Sequence, residues 1–400
     1  MTISTTAMRD LQAFMLDRRI DAWVLWDFRG SNPIAAQLFP SPAGKRWTTR
    51  RFAIIIPARG EPTALVHAID ATQFDKDPIT KKVFLSWQEL RASLAELLAG
   101  SARVAMEYSP GGQLPAVSFV DAGAVELIRG LGLEVVSSAD LIQVSVARWS
   151  EAAQADHRAV SAKVTAIKDD AFAMISAALK ANTPITELDV QRRILAAFER
   201  EKLQTDGEPV VAVNAHAGDP HFEVNKLNPS PIKRGDWVLI DLWARTPGEQ
   251  HIFSDITWVG ACGSEALTPE RMKVYNAVKA ARNASLKLAQ DAWKANQPVQ
   301  GWQLDEAARH ELIAPGYQQY IRHRTGHSLS PGPKVHGVGM NLDNLETRDT
   351  RTMIPGIGYT IEPGLYLPTF GVRLEINVFT DPAKGPIVTS CLQDDVIVMG

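Results

Sequence analysis

Cysteine is scarce in this chain, because its 400 residues include only Cys262 and Cys391. Two isolated thiols cannot build the disulfide framework of a small secreted domain, so we expect both to be free in a reducing compartment. The chain also lacks an apolar run near the ~18 residues that a membrane-spanning helix requires. Its N-terminal stretch, MTISTTAMRDLQAFMLDRR, carries charges where a signal peptide has an apolar core. These absences predict a cytoplasmic protein without a membrane partner.

An excess of charge of one sign is missing as well. Lysine and arginine number 42 and aspartate and glutamate number 45, so the formal net charge is −3. Nucleic-acid-binding proteins usually present a basic surface, and this balance therefore argues against a nucleic-acid partner. Apolar content is ample, since 45% of the residues are hydrophobic. That content can form the core of two domains or of one large domain.

The pattern of predicted elements changes near Ser150. Residues 1–148 alternate short strand-like and helix-like segments, which predicts a smaller α/β N-terminal domain. Residues 149–400 begin with a long predicted helix that Ser150 can cap, and later helices are predicted to start at Thr186 and Thr268. Strand-like runs follow, so we predict an α+β C-terminal domain with long helices packed on an antiparallel sheet.

Carboxylates stand inside several of the apolar runs. Asp241 lies in WVLIDLWA, Asp255 lies in FSDITWVG, and YTIEPGLYLPTFGVRLEINVF contains both Glu362 and Glu375. A single acid of this kind is usually explained by an arginine partner or by solvent at a strand end. Four in one domain indicate a buried cation, because burying an unpaired carboxylate is costly and a metal ion compensates that cost. Carboxylate ligands suit Mn²⁺, Co²⁺ or Zn²⁺.

Five of the nine histidines lie in stretches that could bring imidazole to the same site. They are His216 and His221 in NAHAGDPHFE, His323 and His327 in HRTGHSLS, and His336 in KVHGVG. HRTGH has the spacing of a zinc-protease helix, but Arg324 stands where that motif needs a glutamate base. Gly326 also disfavours a helix here, so we reject the zinc-protease interpretation.

Five residues resemble, in chain order, the metal ligands of the pita-bread metallopeptidases: Asp241, Asp255, His327, Glu362 and Glu375. That family includes methionine aminopeptidases, Xaa-Pro aminopeptidases and Xaa-Pro dipeptidases. The local sequences DPHFE, LIDL, SDIT, TGHSL, TIEPGLYL and GVRLE are similar to those of the family. The resemblance covers the second domain. The first domain resembles the N-terminal domain of the creatinase-like, Xaa-Pro branch, which methionine aminopeptidases lack.

The resemblance implies a pita-bread (creatinase/aminopeptidase) fold for the C-terminal domain and two divalent metal ions per chain. We expect Mn²⁺, with Co²⁺ or Zn²⁺ as alternatives. Asp255 and Glu375 would bridge the two ions, Asp241 would bind one, and His327 and Glu362 would bind the other. The resemblance further implies that a metal-bridging hydroxide attacks the scissile carbonyl and that Glu362 shuttles the proton.

Other positions resemble the substrate-facing residues of the family. His221 and His336 would donate hydrogen bonds to the substrate carbonyl or to the tetrahedral intermediate, and His216 is the rival to His221. Arg373 would orient a ligand carboxylate or meet the substrate, since it stands on the same strand face as Glu375. His323 is expected to support the substrate site.

The resemblance implies a homodimer that hydrolyses small peptides containing proline. Arg348 stands 14 residues before Glu362, where prolidases carry an arginine for the terminal carboxylate, although a surface salt bridge would explain it equally well. We predict an Xaa-Pro dipeptidase (prolidase), with an Xaa-Pro aminopeptidase acting on longer peptides as the alternative. A non-catalytic pita-bread protein is the alternative of another class, and retention of all five ligand positions disfavours it.

The sequence departs from the family in two loops. Asp241 and Asp255 are more widely separated than usual, which predicts an enlarged loop at 244–254. The stretch 328–336 is also longer than usual, and Trp243 stands where smaller residues are commoner. These differences concern the shape of the substrate pocket more than the metal ligands.

Overall fold

The computed structural model describes residues 4–42, 44 and 46–400. Ala43, Lys45 and the first three residues of the N-terminal stretch interpreted above lie outside the described residues. The chain divides into two compact units, one ending at Val146 and the other beginning at Ala147. The domain boundary expected between residues 148 and 149 stays a prediction.

The N-terminal unit alternates short strands and helices around one sheet. Its strands are β1 (Ala22–Phe28), β2 (Arg51–Pro57), β3 (Thr63–His67), β4 (Thr80–Phe84), β5 (Arg103–Met106) and β6 (Glu134–Ser137). Its α-helices are α1 (Thr5–Asp17), α2 (Pro33–Leu38), α3 (Trp87–Leu97), α4 (Ala122–Arg129) and α5 (Ala139–Ser145). Its 3-10 helices span Ala68–Phe74, Pro110–Gly112 and Pro115–Val117. The six strands are ordered β4-β3-β2-β1-β5-β6, and β1 pairs antiparallel with β2 and parallel with β5.

A carboxylate is completely buried inside this unit. Glu107 follows β5 and accepts hydrogen bonds from Trp23 Nε1 at 2.5 Å, Asn32 Nδ2 at 2.5 Å and Ser138 Oγ at 3.0 Å. Asn32 precedes α2 and Ser138 precedes α5, so one carboxylate joins β1 to the starts of two helices. Burial raises the pKa of Glu107 to about 7, although the three donors act in the opposite direction.

The C-terminal unit combines four α-helices with two four-stranded sheets and a two-stranded ribbon. Its α-helices are α6 (Glu151–Ala181), α7 (Glu187–Arg200), α8 (Pro269–Lys294) and α9 (Gly301–Ile313). Its first strands are β7 (Val210–Val213), β8 (Trp237–Ala244), β9 (Ser254–Cys262) and β10 (Ser328–Leu329). Its last strands are β11 (Gly358–Ile361), β12 (Gly364–Tyr366), β13 (Gly371–Arg373), β14 (Ile376–Asp381), β15 (Gly385–Val388) and β16 (Ile397–Met399). Its 3-10 helices span Asn214–Gly218, Ser264–Ala266 and Gln318–Tyr320.

The predicted helix starts of this unit are confirmed. Ser150 Oγ accepts a hydrogen bond from the first turn of α6. Thr186 and Asp189 form a reciprocal capping box at the start of α7. Thr268 caps α8, whose first residue is Pro269. In the described part of the chain, no helix is long and apolar enough to cross a membrane.

One sheet of the unit has the order β16-β9-β8-β7, and the other has the order β10-β11-β14-β15. Neighbouring strands are antiparallel except at one edge, where β16 runs parallel to β9. The predicted antiparallel pairing therefore holds for the other neighbouring strands of the two sheets and not for β16 and β9. A parallel neighbour requires a long connection, and the chain between β9 and β16 supplies one that includes α8 and α9.

The hairpin that carries Glu362 and Glu375 turns between Leu367 and Gly371, as the sequence predicts, but its ladder is interrupted. β11 pairs with β14, and β12 pairs with β13 as a separate ribbon. Gly364 pairs with Arg373 and Ile361 pairs with Ile376, so the same register runs through both pairs and sets Glu362 opposite Glu375.

The interruption has a cause in the neighbouring chain segments. The backbone N–H of Glu362 donates to Thr325 O at 2.7 Å, and that of Glu375 donates to Thr257 O at 3.1 Å. Each glutamate is thereby attached to a different part of the unit. Thr325 lies just before His327, and Thr257 lies in strand β9. The ladder of the hairpin therefore opens at its two glutamates.

Candidate metal centre and active site

A cavity of about 720 Å³ opens in the C-terminal unit. Nine of the ten residues that the sequence predicts for the site line it: His221, Asp241, Asp255, His323, His327, His336, Glu362, Arg373 and Glu375. Arg348 is not among the described residues of the lining. It is exposed, and its guanidinium carbon lies 4.7 Å from the ring centroid of Trp302.

The two aspartates lie on neighbouring strands. Asp241 is in β8 and Asp255 is in β9, where Asp241 pairs with Thr257 and Trp243 pairs with Asp255. Residues separated by two along a strand share a face, so this register places both carboxylates on one side of the sheet. The backbone N–H of Asp255 also donates to Asn377 Oδ1 at 3.0 Å, which joins β9 to β14.

His327 turns one ring nitrogen towards the acids. Its Nδ1–H donates to Ser328 O at 3.1 Å, which leaves Nε2 as the nitrogen that faces the cavity. Nε2 lies 3.4 Å from Asp255 Oδ2 and 3.4 Å from Glu362 Oε1. The ligand atoms of Asp255, His327 and Glu375 all lie within 4.8 Å of one another, which is close enough for one metal ion to join them.

Two carboxylate oxygens at this point accept no hydrogen bond from the described residues. They are Asp241 Oδ1 and Glu375 Oε1, and both are buried. Burial raises the pKa of Asp241 and raises that of Asp255 to about 7. It also raises the pKa of Glu375 well above its ordinary value. Buried oxygens without donors are the positions that a cation would neutralise, so the donor set fits a divalent metal ion.

For His327 and Glu362 the pKa shifts favour the charged form, whereas those of Asp241, Asp255 and Glu375 favour the neutral form. Burial lowers the pKa of His327, but the carboxylates of Asp255 and Glu362 outweigh it and raise that pKa overall. Burial raises the pKa of Glu362, but its electrostatic attraction to neighbouring groups, largest for His327, outweighs burial and lowers that pKa. Glu362 therefore stays ionised, because its surroundings favour the charged form of its carboxylate.

Arg373 and Thr257 hold the carboxylates in place. The guanidinium of Arg373 pairs with Asp241 Oδ2, and its Nε donates to Thr257 Oγ1 at 2.9 Å. The hydroxyl of Thr257 in turn donates to Glu375 Oε2 at 2.8 Å. Arg373 thus orients a carboxylate, which was the first of the two roles that the sequence suggested for it.

Sequence reasoning missed four supporting residues: Thr257, Thr360, Tyr366 and Asn377. Thr360 Oγ1 accepts the N–H of His327 at 2.9 Å and lies 3.0 Å from Glu362 Oε1. Thr257 follows Asp255 by two residues and Thr360 precedes Glu362 by two. That same-face spacing was the available signal for both threonines.

The histidines expected to face the substrate differ in their surroundings. The ring of His336 lies 4.0 Å from that of His327, whose positive charge acts with burial to lower the pKa of His336 to about 3. His336 is therefore neutral at physiological pH. His221 is exposed and lines the cavity, whereas its rival His216 lies 2.8 Å from the buried Glu187 and stacks on Phe222.

His323 is engaged on both sides of its ring. Nδ1–H donates to Arg324 O at 2.6 Å, so Nε2 is the acceptor for the hydroxyl of Tyr366 at 2.6 Å. Burial lowers the pKa of His323, which is consistent with this neutral form. The imidazole supports the cavity wall.

Trp243 and the longer stretch 328–336 both differ from the family, and both contact Asp206. Trp243 Nε1 donates to Asp206 Oδ1 at 2.6 Å, and the N–H of Val335 donates to Asp206 Oδ2 at 3.2 Å. Trp243 and Val335 both line the cavity. The unusual tryptophan and the longer loop before His336 therefore form one braced wall of the cavity.

Residues 150–382, more than half of the chain, match the model of metallopeptidase family M24. The chain belongs to that family. A curated Xaa-Pro dipeptidase of Pyrococcus horikoshii is 29% identical over 208 residues, which cover 50% of this chain and 54% of that protein. The chain spans about half the length of the curated relatives it matches.

Solved structures resemble the chain over nearly its whole length. Dipeptidase PepE from Mycobacterium ulcerans superimposes with a TM-score of 0.69 at 22% identity, covering 98% of this chain and 97% of that one. The X-Pro aminopeptidase from Thermotoga maritima has a TM-score of 0.57 at 19% identity, covering 96% and 99%. At these identities the likeness shows the fold, and it confirms the predicted α+β pita-bread class.

Proposed function

We propose that the protein is a metal-dependent Xaa-Pro dipeptidase. The observation that supports this most strongly is that the five candidate ligands, Asp241, Asp255, His327, Glu362 and Glu375, line a single cavity. Two of the buried oxygens accept no hydrogen bond from the described residues, so the site has room for positive charge. Clusters of buried acids with shifted pKa values are concentrated at functional sites.

Asp255, Glu375 and the other three candidate ligands would together hold two divalent ions. Asp241 would be a further ligand of one ion, and His327 and Glu362 would be further ligands of the other. Mn²⁺ is proposed as the metal, with Co²⁺ or Zn²⁺ as alternatives. When bound, such ions lower the pKa of a coordinated water towards neutrality and polarise a carbonyl.

The side chains around the ligands supply the remaining chemistry. Glu362 remains ionised and lies at the partly open side of the cluster, where its carboxylate can accept a proton and deliver it to the leaving nitrogen. Neutral His336 keeps an N–H to donate to the substrate carbonyl, and His221 offers a second donor. Arg373 keeps Asp241 in place during the reaction.

Proline next to the scissile bond suits this chemistry. A prolyl nitrogen has no hydrogen, so enzymes that read the backbone N–H lose a contact there. A site that holds the carbonyl and the free α-amine does not need that hydrogen. The Pyrococcus horikoshii relative is an Xaa-Pro dipeptidase, which supports this substrate class, and we propose a cytoplasmic homodimer.

A paired assay tests the proposal. The purified protein is incubated with Ala-Pro or Ala-Pro-Ala in the presence of Mn²⁺, Co²⁺ or Zn²⁺, and kcat/KM is measured for each pair. We expect preferential hydrolysis of the dipeptide with at least one metal. A strong preference for Ala-Pro-Ala would instead favour the Xaa-Pro aminopeptidase, whose fold the chain shares.

The variant Asp255→Asn tests a proposed metal ligand in the same assay. The amide keeps the size of the side chain but loses the charge that a metal ion needs, so we expect activity to fall below detection and metal content to drop. Circular dichroism should be unchanged. Full turnover by this variant, or a wild-type protein that binds no divalent ion, would contradict the proposed function.

A further inference from the structure

Two arginines stand among the described residues of the cavity lining, and their situations differ. Arg373 is fully engaged, since Nε donates to Thr257, Nη1 donates to Tyr366 and Nη2 pairs with Asp241. Arg324 is half-buried, and in the described structure its guanidinium donates through Nη1 alone, to Glu346 Oε2 at 3.2 Å. Its Nε and Nη2 groups therefore remain for a ligand.

A chain of hydrogen bonds fixes the backbone of Arg324 relative to the metal cluster. Arg373 Nη1 donates to the Tyr366 hydroxyl at 2.9 Å, and that hydroxyl donates to His323 Nε2 at 2.6 Å. His323 Nδ1–H then donates to Arg324 O at 2.6 Å. Since Arg373 also pairs with Asp241, the position of Arg324 is tied to that of a proposed ligand.

Glu346 holds the side chain of Arg324 from the other direction. Its Oε1 accepts the backbone N–H of Arg324 at 3.1 Å, and its Oε2 accepts Nη1. This two-point contact restricts the guanidinium to one region of the cavity wall. Arg324 and His336 both line the cavity, so the guanidinium borders the same space as a proposed carbonyl donor.

We propose that Arg324 binds the free α-carboxylate of the dipeptide substrate and so determines the preference for dipeptides. This inference rests on the proposed function. A guanidinium presents paired N–H groups that match the two oxygens of a carboxylate, and Arg324 has such groups unengaged inside the cavity. Arg348, the candidate suggested by the sequence, lies over Trp302 and outside the described lining.

The experiment compares Ala-Pro with its C-terminal amide, which lacks the carboxylate. Arg324→Gln removes the fork and keeps a polar side chain of moderate length. Arg322→Gln is the matched control, because Arg322 is exposed, bonds to Gln319 O and is absent from the described lining. Arg348→Gln is measured beside them as the competing site.

We expect Arg324→Gln to raise the KM for Ala-Pro roughly 10- to 100-fold, as loss of a charged hydrogen-bonding partner predicts. The KM for the amide should stay within about twofold of its wild-type value, as should both substrates with Arg322→Gln. Metal content measured on every variant excludes a general loss of structure, since a carboxylate-binding role leaves it unchanged.

Two results would overturn the role of Arg324. The first is an equal change for Ala-Pro and its amide, and the second is a loss of carboxylate discrimination in Arg348→Gln instead. These differ from failure of the proposed function itself, in which the wild-type protein with metal would hydrolyse neither substrate. An enzyme that cleaves Ala-Pro but is indifferent to Arg324→Gln would refute this inference alone.

Discussion

Thr257 shows how a single hydroxyl can organise charged neighbours. It accepts a hydrogen bond from Arg373 and donates one to Glu375, so it determines the orientation of both side chains. The other oxygen of Glu375 accepts no hydrogen bond from the described residues, and this oxygen is the one offered to a cation. Partners of this kind around a metal ligand tune its affinity.

Thr257→Val should therefore weaken metal binding by about 10- to 100-fold while preserving the fold. Valine has the same shape as threonine but cannot donate to Glu375, so the carboxylate loses its fixed orientation. Isothermal titration with Mn²⁺ measures the effect. Thr257→Ser retains the hydroxyl and should bind within a few-fold of wild type; equal affinities for the valine and serine variants would count against this role.

At the scale of single residues, the sequence was informative about ligands and less so about their supports. Acids inside apolar runs are unusual, and this makes Asp241 and Asp255 conspicuous. Threonines such as Thr257 are common in strands, so a spacing of two residues from an acid is too weak a signal to identify a support by itself. Arg348 and Arg324 could not be ranked from sequence, because the path of the intervening loop decides which one reaches the cavity.

Among the structural elements, the hairpin from β11 to β14 carries two of the candidate ligands, Glu362 and Glu375. The sequence indicated two strands and their turn, since alternation and turn residues are local signals. It could not indicate the interruption of the ladder, which depends on hydrogen bonds from Glu362 to Thr325 and from Glu375 to Thr257. Those partners are distant in the chain and meet only in the folded unit.

Removal of metal should loosen this hairpin first. Glu362 and Glu375 stand opposite each other, and without a cation the buried carboxyl of Glu375 must either repel Glu362 or take up a proton and lose its charged interactions. We expect chelation to increase hydrogen exchange of the amides in β11–β14 and to lower the melting temperature by about 5 °C or more. Strand β2 of the other unit is the internal reference. Unchanged exchange in the hairpin after chelation would refute the prediction.

Across the whole molecule, buried carboxylates make stability depend on pH. Glu107 has a pKa near 7 in the folded protein, above the ordinary 4.5, so the folded state binds more protons between these values. The free energy of unfolding should therefore fall as the pH rises from about 4.5 to 7, by roughly 3 kcal/mol in total from this group.

Glu107→Gln should remove that part of the pH dependence, because the amide does not ionise. Urea unfolding of the metal-loaded protein at pH 5, 6, 7 and 8 measures it, and Glu61→Gln at an exposed position is the control. We expect the free energy of unfolding of Glu107→Gln to increase relative to that of the wild type as the pH rises. Parallel pH profiles for the two proteins would contradict the assignment.

The overall architecture was predictable to the extent that its signals are local. Capping residues such as Ser150 and Thr268 mark helix starts in the sequence, and the structure places the starts there. The parallel docking of β16 beside β9 has no such signal, since strand direction at a sheet edge depends on the whole intervening path. The same is true of the contacts of Glu107 across its unit.

The register that sets Glu362 opposite Glu375 limits how this segment can change in evolution. A single residue inserted between Glu362 and Leu367 would exchange the two faces of the strand and turn away one acid or the side chains that support it. The exposed tip at Pro368 and Thr369 lies beyond the last pair of the ladder. Length differences among divergent relatives should therefore accumulate at the tip, while the strands keep a constant residue count.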